Sequence, residues 1–177
     1  MTAERSPARP EGGPLRRALE SHLGSRQVPR VIYGSIIGLA LVLVLEDHLS
    51  TTREALRVLL STALAVALAE LYAEIIGAET RKRRHVTRAD VGPFVRDAGA
   101  VAFGAAAPAI FVVLAAIGLF DLDTGLTIAK WTGLALIGAY GYVGDRFAGG
   151  SVPSALLHGL AVAAIGGLLI ALKALVH

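Results

Sequence analysis

Cysteine is absent from the 177-residue chain. That excludes disulfides, thiolate nucleophiles and metal sites built on Cys. Charge is scarce too, at 18% Asp, Glu, Lys and Arg, against about 25% in an average soluble domain. The chain has no HExxH, no P-loop and no GxSxG, so zinc protease, nucleotide-cradling and nucleophile-elbow chemistry lack their residues. Ser35 and Ser61 have no nearby base in sequence. No Ala-x-Ala site directly follows the first apolar stretch, in the link 46–57, so the amino-terminal segment does not read as a secretory signal. These absences argue against a soluble enzyme, a secreted disulfide scaffold and a nucleic-acid-binding domain.

Apolar residues take the place of what is missing, at 54% of the chain. They gather in five stretches, 31–45, 58–78, 98–120, 124–144 and 154–176. Four have the roughly 20 residues that cross a hydrocarbon core of about 30 Å. The first does so if Val28 to Arg30 and Glu46 to His48 are its headgroup-level ends. Lipid offers no partners for open backbone groups, so continuous stretches must be helices. Without polar–apolar alternation they are not barrel strands. The expected fold is all-α, a polytopic integral membrane protein with five transmembrane helices over 31–177. Residues 1–30 form a basic tail, partly disordered, in which Leu15, Leu19 and Leu23 suggest a short interfacial helix; a solvated tail fits as well.

Basic residues set the orientation. The tail holds six, and the 79–97 link six more: Arg81, Lys82, Arg83, Arg84, Arg88 and Arg96. With Arg146 these are 13 of the 17 Lys and Arg residues, all on one side of five crossings. The positive-inside rule makes that side, and the amino terminus, cytoplasmic. A pI near 9.6 then points to anionic lipid headgroups rather than nucleic acid. The location expected is a bacterial-type plasma (inner) membrane.

Glu70 and Glu74 stand out. Glu70 lies two residues from the midpoint of 58–78, about 3 Å along the axis, and Glu74 about 9 Å from it. A spacing of four puts both on one face. A charge near the bilayer centre costs at least about 2.5–3.5 kcal/mol. Two carboxylates on one face repel unless one is protonated or a cation lies between them. His158 falls in the same half of the bilayer, as do Tyr33, Ser35 and Tyr140. The expected site is a cation or proton site with Glu70, Glu74 and His158 as metal ligands, and a buried hydrogen-bond cluster is the structural alternative. Glu46, Asp47 and His48 form a second polar group that reads as a solvated helix end. Lys130 and Lys173 read as snorkelling to the outer surface.

Small residues mark packing faces: Gly34 and Gly38; Gly138, Gly141 and Gly144; Gly159, Ala163 and Gly167. The Gly34–Gly38 pair makes a homodimer through the first helix an expectation. Pro108, in the middle of the third stretch, should kink it.

Three segments carry a family likeness. They are Val31-Ile-Tyr-Gly-Ser-Ile-Ile-Gly38, Ala69 to Glu74 with its basic exit, and Leu134 to Val176 with the Arg146–Gly150 turn. In these the chain resembles the vacuolar iron transporter family. The resemblance implies five transmembrane helices, a cytoplasmic amino terminus, a homodimer, and exchange of protons for ferrous or manganous ions. It gives Glu74 the role of the family's second-helix glutamate and puts Glu70 where the family tends to have methionine. Ile36 and Ile37 stand where the family has Asn-Asp, and the acidic helical insert of many members is absent. The functional expectation is proton-coupled divalent metal ion transport, with a transported ion but no resident cofactor and no enzymatic activity. The alternative is a membrane accessory or scaffold protein whose basic segments bind lipid or a partner.

Overall fold

The computed structural model describes residues 27–48 and 51–176. Most of the predicted tail therefore lies outside the described residues. Among the described residues six α-helices follow in order: α1 Val28–His48, α2 Thr52–Lys82, α3 Arg88–Ala106, α4 Ala109–Ala116, α5 Leu122–Phe147 and α6 Val152–Val176. No strand occurs among the described residues. Each apolar stretch becomes one helical rod, and the third is broken into α3 and α4. The bend between them is 50° and falls at Pro108, which has no N–H to bond the preceding turn. Val28 to Arg30 and Glu46 to His48 are helical, so α1 has the length of a full crossing.

Local signals set the helix ends. The Thr51 side chain accepts from the Glu54 N–H at the start of α2. Asp121 caps α5, accepting from the Thr124 N–H at 2.7 Å and the Thr124 hydroxyl at 3.1 Å. Arg83 ends α2 in the left-handed region at φ 49°, and Asp90 folds back to accept from the Thr87 N–H at 3.0 Å.

α1 runs through the middle. Its Val42 and Leu45 join Leu59 of α2, Val112 of α4 and Leu126 of α5 in one apolar core. Leu39 and Leu43 pack with Ile137 of α5, covered by Val162, Leu169 and Ile170 of α6. Against α3 the approach is closer still. A Cβ on Gly34 would lie 2.1 Å from the Val101 carbonyl oxygen, and one on Gly38 would lie 2.8 Å from that of Ala105. From the α3 side, a Cβ on Gly104 would lie 2.4 Å from the Val31 oxygen. The two backbones touch, which only hydrogen at these positions permits. The first-helix GxxxG is thus spent inside the protomer, and a dimer contact through α1 would need another of its faces. α5 and α6 meet in the same manner, with a Cβ on Gly159 falling 2.7 Å from the Gly138 oxygen.

The contacts also give the helix directions. Arg30, Gly34 and Gly38 meet Asp97, Val101 and Ala105 in step, so α1 and α3 are parallel. Arg30 reaches Glu70 and Glu74 near the end of α2, so α2 is antiparallel to both. Glu46 meets Lys130 early in α5 and Lys173 late in α6. Directions therefore alternate along the chain, as successive crossings require.

Leu60, Leu64, Leu68 and Tyr72 of α2 and Leu156, Leu157, Leu160 and Leu168 of α6 are exposed. Apolar faces of this extent suit lipid rather than water. Among the described residues three helices, α1, α2 and α6, are long and apolar enough to cross a membrane, and the bent α3–α4 pair makes a fourth. The predicted fourth stretch, α5, has the length but falls outside this set. Lys130 and its neighbours Thr127 and Thr132 dilute its apolar run.

Candidate functional site

The first turn of α1 points Arg30 at the polar end of α2. Its Nε donates to Glu70 Oε1 at 3.3 Å, and its Nη2 donates to Glu74 Oε1. The same Nη2 stands 3.2 Å from Asp97 Oδ2 on α3. All four side chains are about four-fifths buried. Three carboxylates from two helices thus converge on one guanidinium from a third. Arg81, mostly exposed, adds a looser approach to Glu74 Oε2 at 3.8 Å.

This is the cation that two glutamates on one helix face need. Like charges four residues apart repel, and burying each would be costly without a partner. A planar guanidinium suits the task because its fork of donors can serve several carboxylates at once. Among the described residues the cluster sets three acidic side chains against one largely buried guanidinium, with Arg81 at its edge. Arg30, Glu74 and Asp97 face a cavity of about 450 Å³ lined also by Asp90, Arg81 and Lys82, among others. Polar groups and room for solvent therefore coincide at one end of the α1–α2–α3 bundle.

Other sequence candidates separate. His158 begins α6 at the same end of the bundle, but it is exposed and has no bond to Glu70 or Glu74. α6 packs on α5 and α1, with no substantial packing against α2. Tyr33 is 52% exposed, whereas Ser35 is buried at 3%. Tyr140 lines a different cavity, beside Arg96. The polar layer expected from depth is therefore spread over several places. Among the described residues no three His, Asp or Glu side chains form a metal-ligating group.

Two residues of the cluster escape sequence reasoning. Arg30 counts there as one more basic residue of the tail, and Asp97 borders a stretch without being singled out. The signal for Asp97 is an acid beside Arg96 in a basic link, nine residues past the start of α3 and so inside a helix that enters the apolar layer.

A second network ties the other end. Glu46 accepts from Lys130 at 2.6 Å and from Lys173 at 3.0 Å, and Lys173 also reaches Asp47 at 3.1 Å. Lys130 and Lys173 are mostly buried. They fold onto Glu46 and bind α1, α5 and α6 together, where snorkelling to the surface had been expected. The side chain of His48 lies outside the described residues.

The link between α2 and α3 is ordered by Asp90, which accepts from Lys82 at 2.6 Å and from Arg84 at 3.1 Å. Glu79 accepts from the Val86 N–H at 3.0 Å. Arg81, Arg83 and Arg88 remain on the exposed surface of this link.

Comparison of the chain with family models, with curated proteins and with solved structures gives no match.

Proposed function

We propose that the protein is a five-crossing membrane transporter, with a cytoplasmic amino terminus, that exchanges protons for a divalent cation at Glu70, Glu74 and Asp97. One observation carries the reading: among the described residues three largely buried carboxylates share the Arg30 guanidinium, and two of them, Glu74 and Asp97, line a cavity of about 450 Å³. Arg30 acts as an internal counter-ion. With Arg30 in place the three carboxylates are not a metal-ligating group; metal binding requires Arg30 to withdraw, which would leave a hard oxygen set suited to Mn²⁺ or Fe²⁺. Without Arg30 or metal, close carboxylates favour proton uptake. Cation entry and proton release are thereby coupled at one place. His158 is not part of this site, and the basic 79–97 link faces the cytoplasm in this reading.

The test is calorimetric titration of Mn²⁺, and of Fe²⁺ without oxygen, into the detergent-solubilised protein at two pH values. The expected result is saturable binding that weakens at the lower pH and disappears in a Glu70→Gln, Glu74→Gln variant. A folded protein that binds neither ion overturns the proposal.

A second reading has its own support. Arg30 already compensates both glutamates, so the cluster also works as a clasp joining α1, α2 and α3. The protein would then be an accessory or scaffold presenting the basic α2–α3 link to lipid or a partner. Loss of function on changing Arg83 and Arg88, with the double Gln variant active, would favour it.

A further inference from the structure

A second cavity, of about 390 Å³, opens between α1, α3 and α5. Gln27, Val28, Val31, Arg96, Phe103 and Tyr140 line it, with small residues between. α3 is what separates it from the acidic cluster. Pro93 and Asp97 face the Arg30 cavity. Arg96, Gly99, Ala100 and Phe103 recur at spacings of three and four and face this one. Gly99 leaves its wall concave, since a Cβ there would meet nothing within 4 Å.

The chemistry of the two cavities differs in sign. Among the described residues no carboxylate lines the second, and Arg96 has no hydrogen-bond or ion-pair partner. By contrast Arg30, Lys82 and Arg84 all hold carboxylates. From Arg96 the wall continues inward over seven residues to Phe103, which is 60% exposed. Seven residues of helix span about 10 Å, the depth from a headgroup into the acyl layer. The Arg96 end lies level with the first turn of α1, because the neighbouring Asp97 pairs with Arg30.

We propose that this cavity binds one anionic phospholipid. Its headgroup phosphate sits on the Arg96 guanidinium, and one acyl chain lies along Val28, Val31 and Phe103. Arginine suits a phosphate because two parallel N–H groups match two oxygens. Basic pockets between membrane helices recognise anionic headgroups in this way. The site is independent of the cation reading, since it shares no side chain with Glu70, Glu74 or Asp97.

Native mass spectrometry of the full chain in detergent tests it, with phosphatidylglycerol and phosphatidylcholine titrated separately. The expected result is one phosphatidylglycerol bound about tenfold more tightly than phosphatidylcholine, the scale of one hydrogen-bonded charge. Arg96→Gln should abolish the preference, while Arg146→Gln, which changes an exposed arginine outside the cavity, should keep it. Gly99→Leu should also abolish it by filling the cavity with the guanidinium intact. Excess inorganic phosphate should not displace the lipid. Equal losses in the Arg146 and Arg96 variants would mean diffuse surface attraction and overturn the site. No preference in the wild type, an unaffected Gly99→Leu variant, or displacement by inorganic phosphate would also overturn the lipid assignment.

Discussion

Arg30 on α1 and Asp97 on α3 stand 3.2 Å apart, in the same register that presses Gly34 against Val101. The ion pair and the closest backbone contact are therefore two parts of one helix–helix seam. Asp97 is one of three acids on Arg30, whereas Arg30 is, among the described residues, the one cation largely buried with them. Removal should therefore be asymmetric. Arg30→Gln should destabilise the protein by about 3–5 kcal/mol, the usual result of orphaning buried charge. Asp97→Asn should cost about 1 kcal/mol or less, because Glu70 and Glu74 still satisfy the guanidinium. Chemical unfolding in detergent measures both, and adding Glu70→Gln to Arg30→Gln should recover part of the loss.

The backbone contact makes a separate prediction. Gly34→Ala and Gly104→Ala each put a methyl group into a carbonyl and should cost about 1–3 kcal/mol or more through forced helix separation. Gly167→Ala has open space and should be neutral or gain up to about 1 kcal/mol from helix propensity. Thermal unfolding of the three variants side by side gives the contrast. Equal effects would show that α1 and α3 do not touch.

At the opposite end, Glu46 serves two lysines. Glu46→Gln should be costly, about 3 kcal/mol, because Lys130 loses its carboxylate. Lys173→Met should cost less, since Glu46 keeps Lys130. The two unfolding free energies, with the double variant to close the cycle, rank the pairs.

His158 offers a check on the cation proposal. His158→Ala should leave Mn²⁺ affinity unchanged in calorimetry, whereas Glu74→Gln should weaken it at least about tenfold, the loss of one charged ligand. A matching loss in the histidine variant would mean that α6 moves towards α2.

Asp121 links pH to the α5 cap. The Thr124 N–H, and then its hydroxyl, hold this carboxyl below its ordinary value. Its contribution is present above the unfolded pKa of about 3.9 and is lost as pH falls through the lower folded value. Asp121→Asn keeps an accepting oxygen without the charge. Its stability relative to wild type should rise on acidification through that window, which pH-dependent unfolding reads directly.

Sequence alone determined the helical rods and the break at Pro108. Long apolar runs have one backbone solution in lipid, and proline lacks the donor a helix interior needs; both are local facts. It also marked Glu70 and Glu74 as a pair needing a proton or a cation, because their spacing and setting are local as well. Which cation answers them was a tertiary decision. Arg30 is 40 positions from Glu70, and Glu46 is 84 from Lys130 and 127 from Lys173. A basic residue at a helix end reads alike whether it meets headgroups or a buried acid. Only packing chooses, by turning α1 so that its Gly34–Gly38 face meets α3 and its two charged ends meet opposite sides of the bundle.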